Sequence, residues 1–181
     1  MRNKFLALSL LAVCFMPIEM ALARSDDREK PIHITADTAE LNDKTGISIY
    51  RGDVRMVQGT TILTGAVVTI HSTDSTVEKI ISIGDLATYQ ETTDDGDDVY
   101  AEAEEMIYDR LLGTIDLYRR AKVTQEENLF RSEHILYKIE EELIEAGNSL
   151  PDKQKERVNM SIMPESKIFK DEKGESDDGT N

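Results

Sequence analysis

An internal repeat is the feature of this sequence that most restricts its fold. When the sequence is shifted by 67 residues without gaps, it matches itself at Ala36 and Ala103, Leu41 and Tyr108, Gly46 and Gly113, Gln58 and Gln125, and Val68 and Ile135. The first copy alternates apolar and polar residues in short runs separated by Gly, Asn or Asp, which is typical of β-strands. A repeat of this kind buries its apolar face only by stacking on its neighbours, so the sequence predicts an all-β fold.

The repeat also resolves one ambiguous segment. Residues 99–108 are rich in Ala and Glu and favour a helix by propensity, but they match a strand-like segment of the first copy. We therefore predict strands there, and about a dozen strands in all, which is more than a flat sheet accommodates. The predicted fold has two facing antiparallel sheets, arranged as a jelly roll or a short solenoid.

The N-terminus predicts a signal peptide over residues 1–23. Arg2 and Lys4 precede an apolar run at residues 5–15, Pro17 follows it, and Ala21-Leu22-Ala23 is a small-residue cleavage signature. The run is shorter than the roughly 20 residues of a membrane span, although an uncleaved anchor remains the alternative. Cys14 leaves with this segment, which excludes thiolate chemistry and disulfides from the mature chain.

The mature chain is predicted to have three parts: a short segment at 24–30, a β domain at 31–164 and a charged, disordered tail at 165–181. The full chain carries a net charge of −15, which excludes nucleic acid as a partner and disfavours anionic lipid headgroups. An anionic amphiphile would therefore be held mainly by its apolar part.

Motifs for catalysis or metal binding are missing from the sequence. His33, His71 and His134 are isolated, and no nucleophile elbow, phosphate loop or metalloprotease motif occurs. The acidic run at 94–98 departs from calcium-loop spacing, and its Asp95-Gly96 pair instead predicts a hairpin turn. We expect no catalytic residue, metal or cofactor.

Alternating apolar residues predict the wall of the fold's interior. Ile32, Ile34 and Ala36 share one face of the first strand, opposite His33 and Thr35. The same alternation makes wall candidates of four further residues, which are Ile47, Ile49, Met56 and Val68. The pattern leaves open whether this interior is a filled core or a ligand groove.

Several motifs occur in an order that resembles one known family. They are Lys30-Pro31-Ile32-His33-Ile34, Tyr50-Arg51-Gly52-Asp53-Val54, Gln58-Gly59, Ala87-Thr88-Tyr89 and the segments 129–137 and 157–164. This order resembles the LptA family of periplasmic lipopolysaccharide-transport proteins, also called OstA-like. One departure is Arg119-Arg120 in the second copy, where the first has Gly52-Asp53, which puts the local turn geometry in question.

The resemblance implies a twisted, half-open jelly roll in the periplasm that carries lipopolysaccharide by its lipid A part in an apolar groove. It also implies that Ile32 and Ile34 lie where the lipid meets the first strand, and that Tyr89 is an aromatic interior position. A carrier of this kind would form part of a bridge from the inner to the outer membrane.

Two uncharged edge strands are the expected partner sites. Ile32 and Ile34 lie in one and Val158, Met160 and Ile162 in the other, and an unprotected edge is a template for strand addition. The resemblance implies LptC at the inner membrane and LptD at the outer membrane as partners, with head-to-tail copies between them. The alternatives are a structural or adhesive β-solenoid without lipid binding, an LptC-like anchored component and a periplasmic hydrolase.

Overall fold

A computed structural model describes residues 24–147 and 157–163 of the 181-residue chain. The predicted signal peptide and the predicted tail lie outside the described residues. A short 3₁₀ helix, Arg24–Glu29, precedes the strands. No helix in the described part of the chain has the length and apolar character needed to cross a bilayer.

Ten strands form nearly all of the described structure. They are β1 (His33–Thr35), β2 (Thr38–Asn42), β3 (Ile47–Gln58), β4 (Thr61–Thr73), β5 (Thr76–Thr92), β6 (Asp98–Asp109), β7 (Thr114–Gln125), β8 (Asn128–Lys138), β9 (Leu143–Ala146) and β10 (Asn159–Ser161). The strand β6 covers the ambiguous Ala- and Glu-rich segment, so the prediction made there from the repeat is confirmed.

Within residues 24–147 and 157–163, all strands belong to one antiparallel sheet whose two edges do not pair with each other. The order is β1-β3-β4-β5-β6-β7-β8-β10, with β2 beside β1 along β3 and β9 beside β10 along β8. One edge of the sheet therefore carries β1 and β2, and the opposite edge carries β9 and β10.

A line of bulges divides the sheet into two wings. The register shifts in the middle of each long strand pair, for example between Arg51 and Val54 and between Tyr118 and Ala121. Bulges bend a strand and increase its twist. We call the half with β1, β10, 54–58, 61–64, 87–92, 98–102, 121–125 and 128–132 the first wing. The second wing holds β2, β9, 47–51, 67–73, 76–83, 105–109, 114–118 and 134–138.

The two wings face each other across an apolar interior. The rings of Tyr89 in the first wing and Tyr108 in the second lie 6.2 Å apart. Tyr89 pairs with Ala101 of β6, and an extended strand places Ala101 about 23 Å from Tyr108. The rings meet only because the sheet folds over at the bulges. The two expected layers are thus the halves of one continuous sheet.

The internal repeat appears in the structure as equivalent strands. β3 and β7 have the same limits after the 67-residue shift. Gly52 and Asp53 form the bulge of β3 with positive φ angles, and Arg119 and Arg120 adopt positive φ at the equivalent positions of β7. Replacement of the glycine by arginine therefore leaves the bulge in place.

Candidate functional site

The interior between the wings is filled with apolar side chains. Both wings contribute to the largest of the side chains that are less than 2% exposed, which include Tyr89, Tyr137, Met56, Leu63, Ile80, Met106, Ile115, Leu117, Ile135, Val54, Val68 and Val99. Three of the residues proposed from the sequence, Met56, Val68 and Tyr89, lie in this interior. A ligand enters it only if the wings move apart.

The first strand presents one edge of this interior to solvent. Ile34 pairs with the buried Met56, and directly paired residues of an antiparallel sheet point to the same face. Ile34 therefore faces inward, and both Ile32 and Ile34 pack against the core while partly exposed. His33 pairs with Val57 and points to the outer face, where it is exposed.

The structure places Ile47 and Ile49 on the outer face instead of the interior wall. Their neighbours Ser48 and Tyr50 pair with Ile70 and Val68, which are buried. Ser48 and Tyr50 before the bulge and Met56 after it all face inward, so the alternation along β3 keeps its parity across Gly52-Asp53. Ile47 and Ile49 lie an odd number of residues from Met56, so alternation places them on the opposite face of the strand.

The interior residues of the second copy were not among those proposed from the sequence. Leu117, Ile135 and Tyr137 are fully buried, and the 67-residue shift matches them to Tyr50, Val68 and Ile70. The repeat was the signal that would have identified them, because equivalent strands bury equivalent faces.

The C-terminal strand forms the opposite edge of the same wing. Met160 pairs with Phe130, whose side chain is buried, yet Met160 itself is 55% exposed. Val158 and Ile162 flank it and are partly buried. The two predicted partner edges thus lie at opposite ends of the first wing.

A polar cavity of about 460 Å³ lies at one end of the interior. Its lining includes Arg28 and Glu91, together with acidic residues of two turns. Glu91 is 8% exposed, and the Tyr89 hydroxyl donates a hydrogen bond to its Oε2 atom at 2.5 Å. Burial raises the pKa of Glu91, while Arg28 and the neighbouring tyrosine hydroxyls act in the opposite direction. This lining suits polar groups and solvent better than an acyl chain.

Within residues 24–147 and 157–163, no group of His, Asp and Glu side chains is arranged to hold a metal ion. The acidic run at 94–98 forms the hairpin turn between β5 and β6, as its Asp-Gly pair predicts. The Thr93 amide donates to the Asp97 carbonyl at 2.8 Å, and Gly96 has a φ of 90°.

Residues 33–143 match the family model described as LptA/(LptD N-terminal domain) LPS transport protein. The chain belongs to this family. A relative, the lipopolysaccharide export system protein LptH of Pseudomonas aeruginosa, is 38% identical over 82% of this chain and 87% of its own length. The corresponding protein LptA of Escherichia coli K12 is 29% identical over 96% of this chain and 91% of its own length.

The LptA/LptD N-terminal family also accounts for the fold. The crystal structure of LptH from Pseudomonas aeruginosa, the LptA-homologous periplasmic component of the lipopolysaccharide transport device, superimposes with a TM-score of 0.70 at 37% identity. It covers 77% of this chain and 99% of the LptH chain. The resemblance inferred from the sequence motifs is confirmed, as is the expected role in lipopolysaccharide transport.

Proposed function

We propose that this chain is a periplasmic carrier that holds lipopolysaccharide by its acyl chains between the two wings. The observation that carries the proposal is the continuous apolar interior that reaches an open sheet edge at Ile32 and Ile34. Because the sheet is not closed, the wings can part there without breaking interstrand hydrogen bonds. Lipid A is the part of the ligand that matches this interior.

The hydrophobic effect supplies the binding energy. Each methylene removed from water gains about 0.8 kcal/mol, so ten methylenes gain roughly 8 kcal/mol before ordering costs. A net charge of −15 opposes attraction of an anionic headgroup. The sugar and phosphate groups accordingly stay outside, at the opening, which an open sheet permits and a closed barrel would forbid.

The free edges of the first wing support a bridge built by strand addition. β1 and β10 lie at opposite ends of one continuous sheet and carry no charged residue. Addition of β1 of one copy to β10 of the next would continue both the sheet and its apolar face. We propose LptC and LptD as the partners at the two ends, with head-to-tail copies between them, and no enzymatic activity.

Self-association has a direct test. Deletion of residues 157–181 removes β10 and should leave a folded monomer, measured by light scattering and circular dichroism. A folded deletion variant that still forms concentration-dependent oligomers would contradict assembly through β10.

Lipid binding is tested with a matched pair of charges on β1. Ile34→Asp places a carboxylate on the inward face, whereas His33→Asp places one on the outward face of the same edge strand. We expect Ile34→Asp to weaken lipopolysaccharide binding by the purified mature chain at least tenfold, which is about 1.4 kcal/mol. His33→Asp should bind like the unmodified chain. Equal binding by both variants would contradict a lipid-lined inner face.

A further inference from the structure

The segment at residues 24–30 crosses the opening between the wings, and we call it the N-terminal strap. On the first wing, Gln58 Nε2 donates to the carbonyl oxygens of Arg28 at 3.0 Å and Lys30 at 2.8 Å. The backbone amide and the hydroxyl of Thr60 both donate to Asp27 Oδ2 at 2.6 Å. The strap is therefore held to the hairpin that joins β3 and β4.

The same strap is also held to the second wing. Arg110 Nη2 donates to the Arg28 carbonyl at 2.9 Å, and Arg28 Nη1 lies 3.1 Å from Glu140 Oε1. A single carbonyl, that of Arg28, thus accepts hydrogen bonds from both wings. These contacts span the end of the interior where the polar cavity lies.

Close packing at Gly59 shows that the turn is shaped for the strap. A Cβ atom at Gly59 would lie 2.1 Å from the Asp27 carboxylate. Gly59 has a φ of 60°, but its repeat equivalent Glu126 adopts a φ of 53° with a full side chain. The backbone conformation of this turn therefore does not require glycine. The contact with Asp27 does require it, because the space beside that carboxylate leaves no room for a Cβ atom.

We propose that the N-terminal strap is a latch that keeps the wings closed over the interior and that releases before lipid enters. This inference rests on the proposed function, because a filled interior accepts an acyl chain only when the wings part. The strap contacts to the second wing are polar and partly exposed, so they are individually weak and the latch is reversible. Lipid binds only to the fraction of molecules in which the wings are open, so release of the latch raises that fraction.

Wing separation is measured first without lipid. The mature chain expected from the sequence has no cysteine, so a double variant, Asp95→Cys with Glu141→Cys, takes two spin labels at exposed turns on opposite sides of the cavity. Deletion of residues 24–30, or Arg110→Ala, should shift the label-to-label distances measured by pulsed electron resonance to longer values. The control Arg51→Ala removes an arginine that is ion-paired only at the surface and should leave the distances unchanged. Unchanged distances in a folded deletion variant would overturn the latch.

Lipid loading is measured second, by stopped-flow anisotropy of fluorophore-labelled lipopolysaccharide. We expect the strap deletion and Arg110→Ala to bind at least about fivefold faster than the unmodified chain, with Arg51→Ala unchanged. Equal or slower binding by both strap variants would also overturn the latch. If the unmodified chain binds no lipopolysaccharide, the proposed function fails, and the spin-label distances still decide whether the strap holds the wings together.

Discussion

Substitution of Gly52 by alanine tests the bulge line that folds the sheet over. Gly52 has a φ of 83°, and an added Cβ atom would lie 2.1 Å from Asp37 Oδ2 and 2.7 Å from Asp37 Cβ. The left-handed backbone costs a non-glycine residue about 1–2 kcal/mol, and displacement of the Asp37 side chain costs roughly 1–3 kcal/mol. Alanine also restricts the unfolded chain more than glycine does, which stabilises the folded state by about 0.4–1 kcal/mol. Together these ranges give a loss of about 1–5 kcal/mol in the free energy of unfolding for Gly52→Ala.

Two further variants separate the strain from the steric contact. Gly96 also has a positive φ, of 90°, but nothing lies within 4 Å of its added Cβ atom, so Gly96→Ala reports backbone strain alone. Arg119→Gly relieves strain at the repeat equivalent of Gly52, while it loses exposed ion pairs to Glu104 and Glu105. Because exposed ion pairs are worth at most about 1 kcal/mol, we expect the free energy of unfolding of Arg119→Gly to change by less than about 1 kcal/mol in either direction.

Urea unfolding of the purified mature chain, followed by circular dichroism, measures all three variants. The urea concentration at the midpoint should be lowest for Gly52→Ala, intermediate for Gly96→Ala and close to that of the unmodified chain for Arg119→Gly. The slope of the unfolding free energy against urea concentration should be the same for all three variants. A Gly52→Ala variant as stable as Gly96→Ala would refute the close contact with Asp37. A large loss in Arg119→Gly would refute the equivalence of the two bulges.

Two other predictions concern the interior and its polar end. Leu117 is fully buried, so Leu117→Ala should cost about 2–5 kcal/mol of stability in urea unfolding, whereas Leu112→Ala, at a turn residue that is 73% exposed, should change it by less than about 0.5 kcal/mol. Burial raises the pKa of Glu91 from its usual 4.5, so the folded state holds this proton more tightly and stability should fall as pH rises from 4.5 through the raised pKa. Glu91→Gln should make the urea midpoint fall less steeply with pH across this range. If the midpoint falls as steeply as in the unmodified chain, the raised pKa of Glu91 is contradicted.

The positions of the strands along the chain could be predicted from local patterns in the sequence. Residues 99–108 were predicted correctly as strand because the repeat outweighed helix propensity, and Met56, Val68 and Tyr89 were placed inside by alternation or by resemblance. Alternation places only residues an even number of positions apart on one face of a strand. Ile47 and Ile49 lie an odd number of positions from Met56, and the bulge at Gly52-Asp53 leaves the parity of β3 unchanged, so these two residues face outward.

The strap was not predictable from the sequence. Its contacts join Arg28 to Gln58, Arg110 and Glu140, residues far apart in the chain that meet only when the sheet folds over. None of these side chains belongs to a recognisable motif, and their partners depend on the angle between the wings. The continuity of the two wings as one sheet depends in the same way on the register of the bulges.

Site-specific photocrosslinking in living cells tests whether the inner face of β1 contacts lipopolysaccharide, with the crosslinker at Ile34 and, as a control, at His33. Ile34 faces the interior and His33 faces outward on the same strand, so secretion and folding are matched between the two positions. We expect a lipopolysaccharide adduct at Ile34 and little at His33. No adduct at Ile34 in a folded and secreted protein would contradict the carrier function and favour a structural β protein with a permanently filled core.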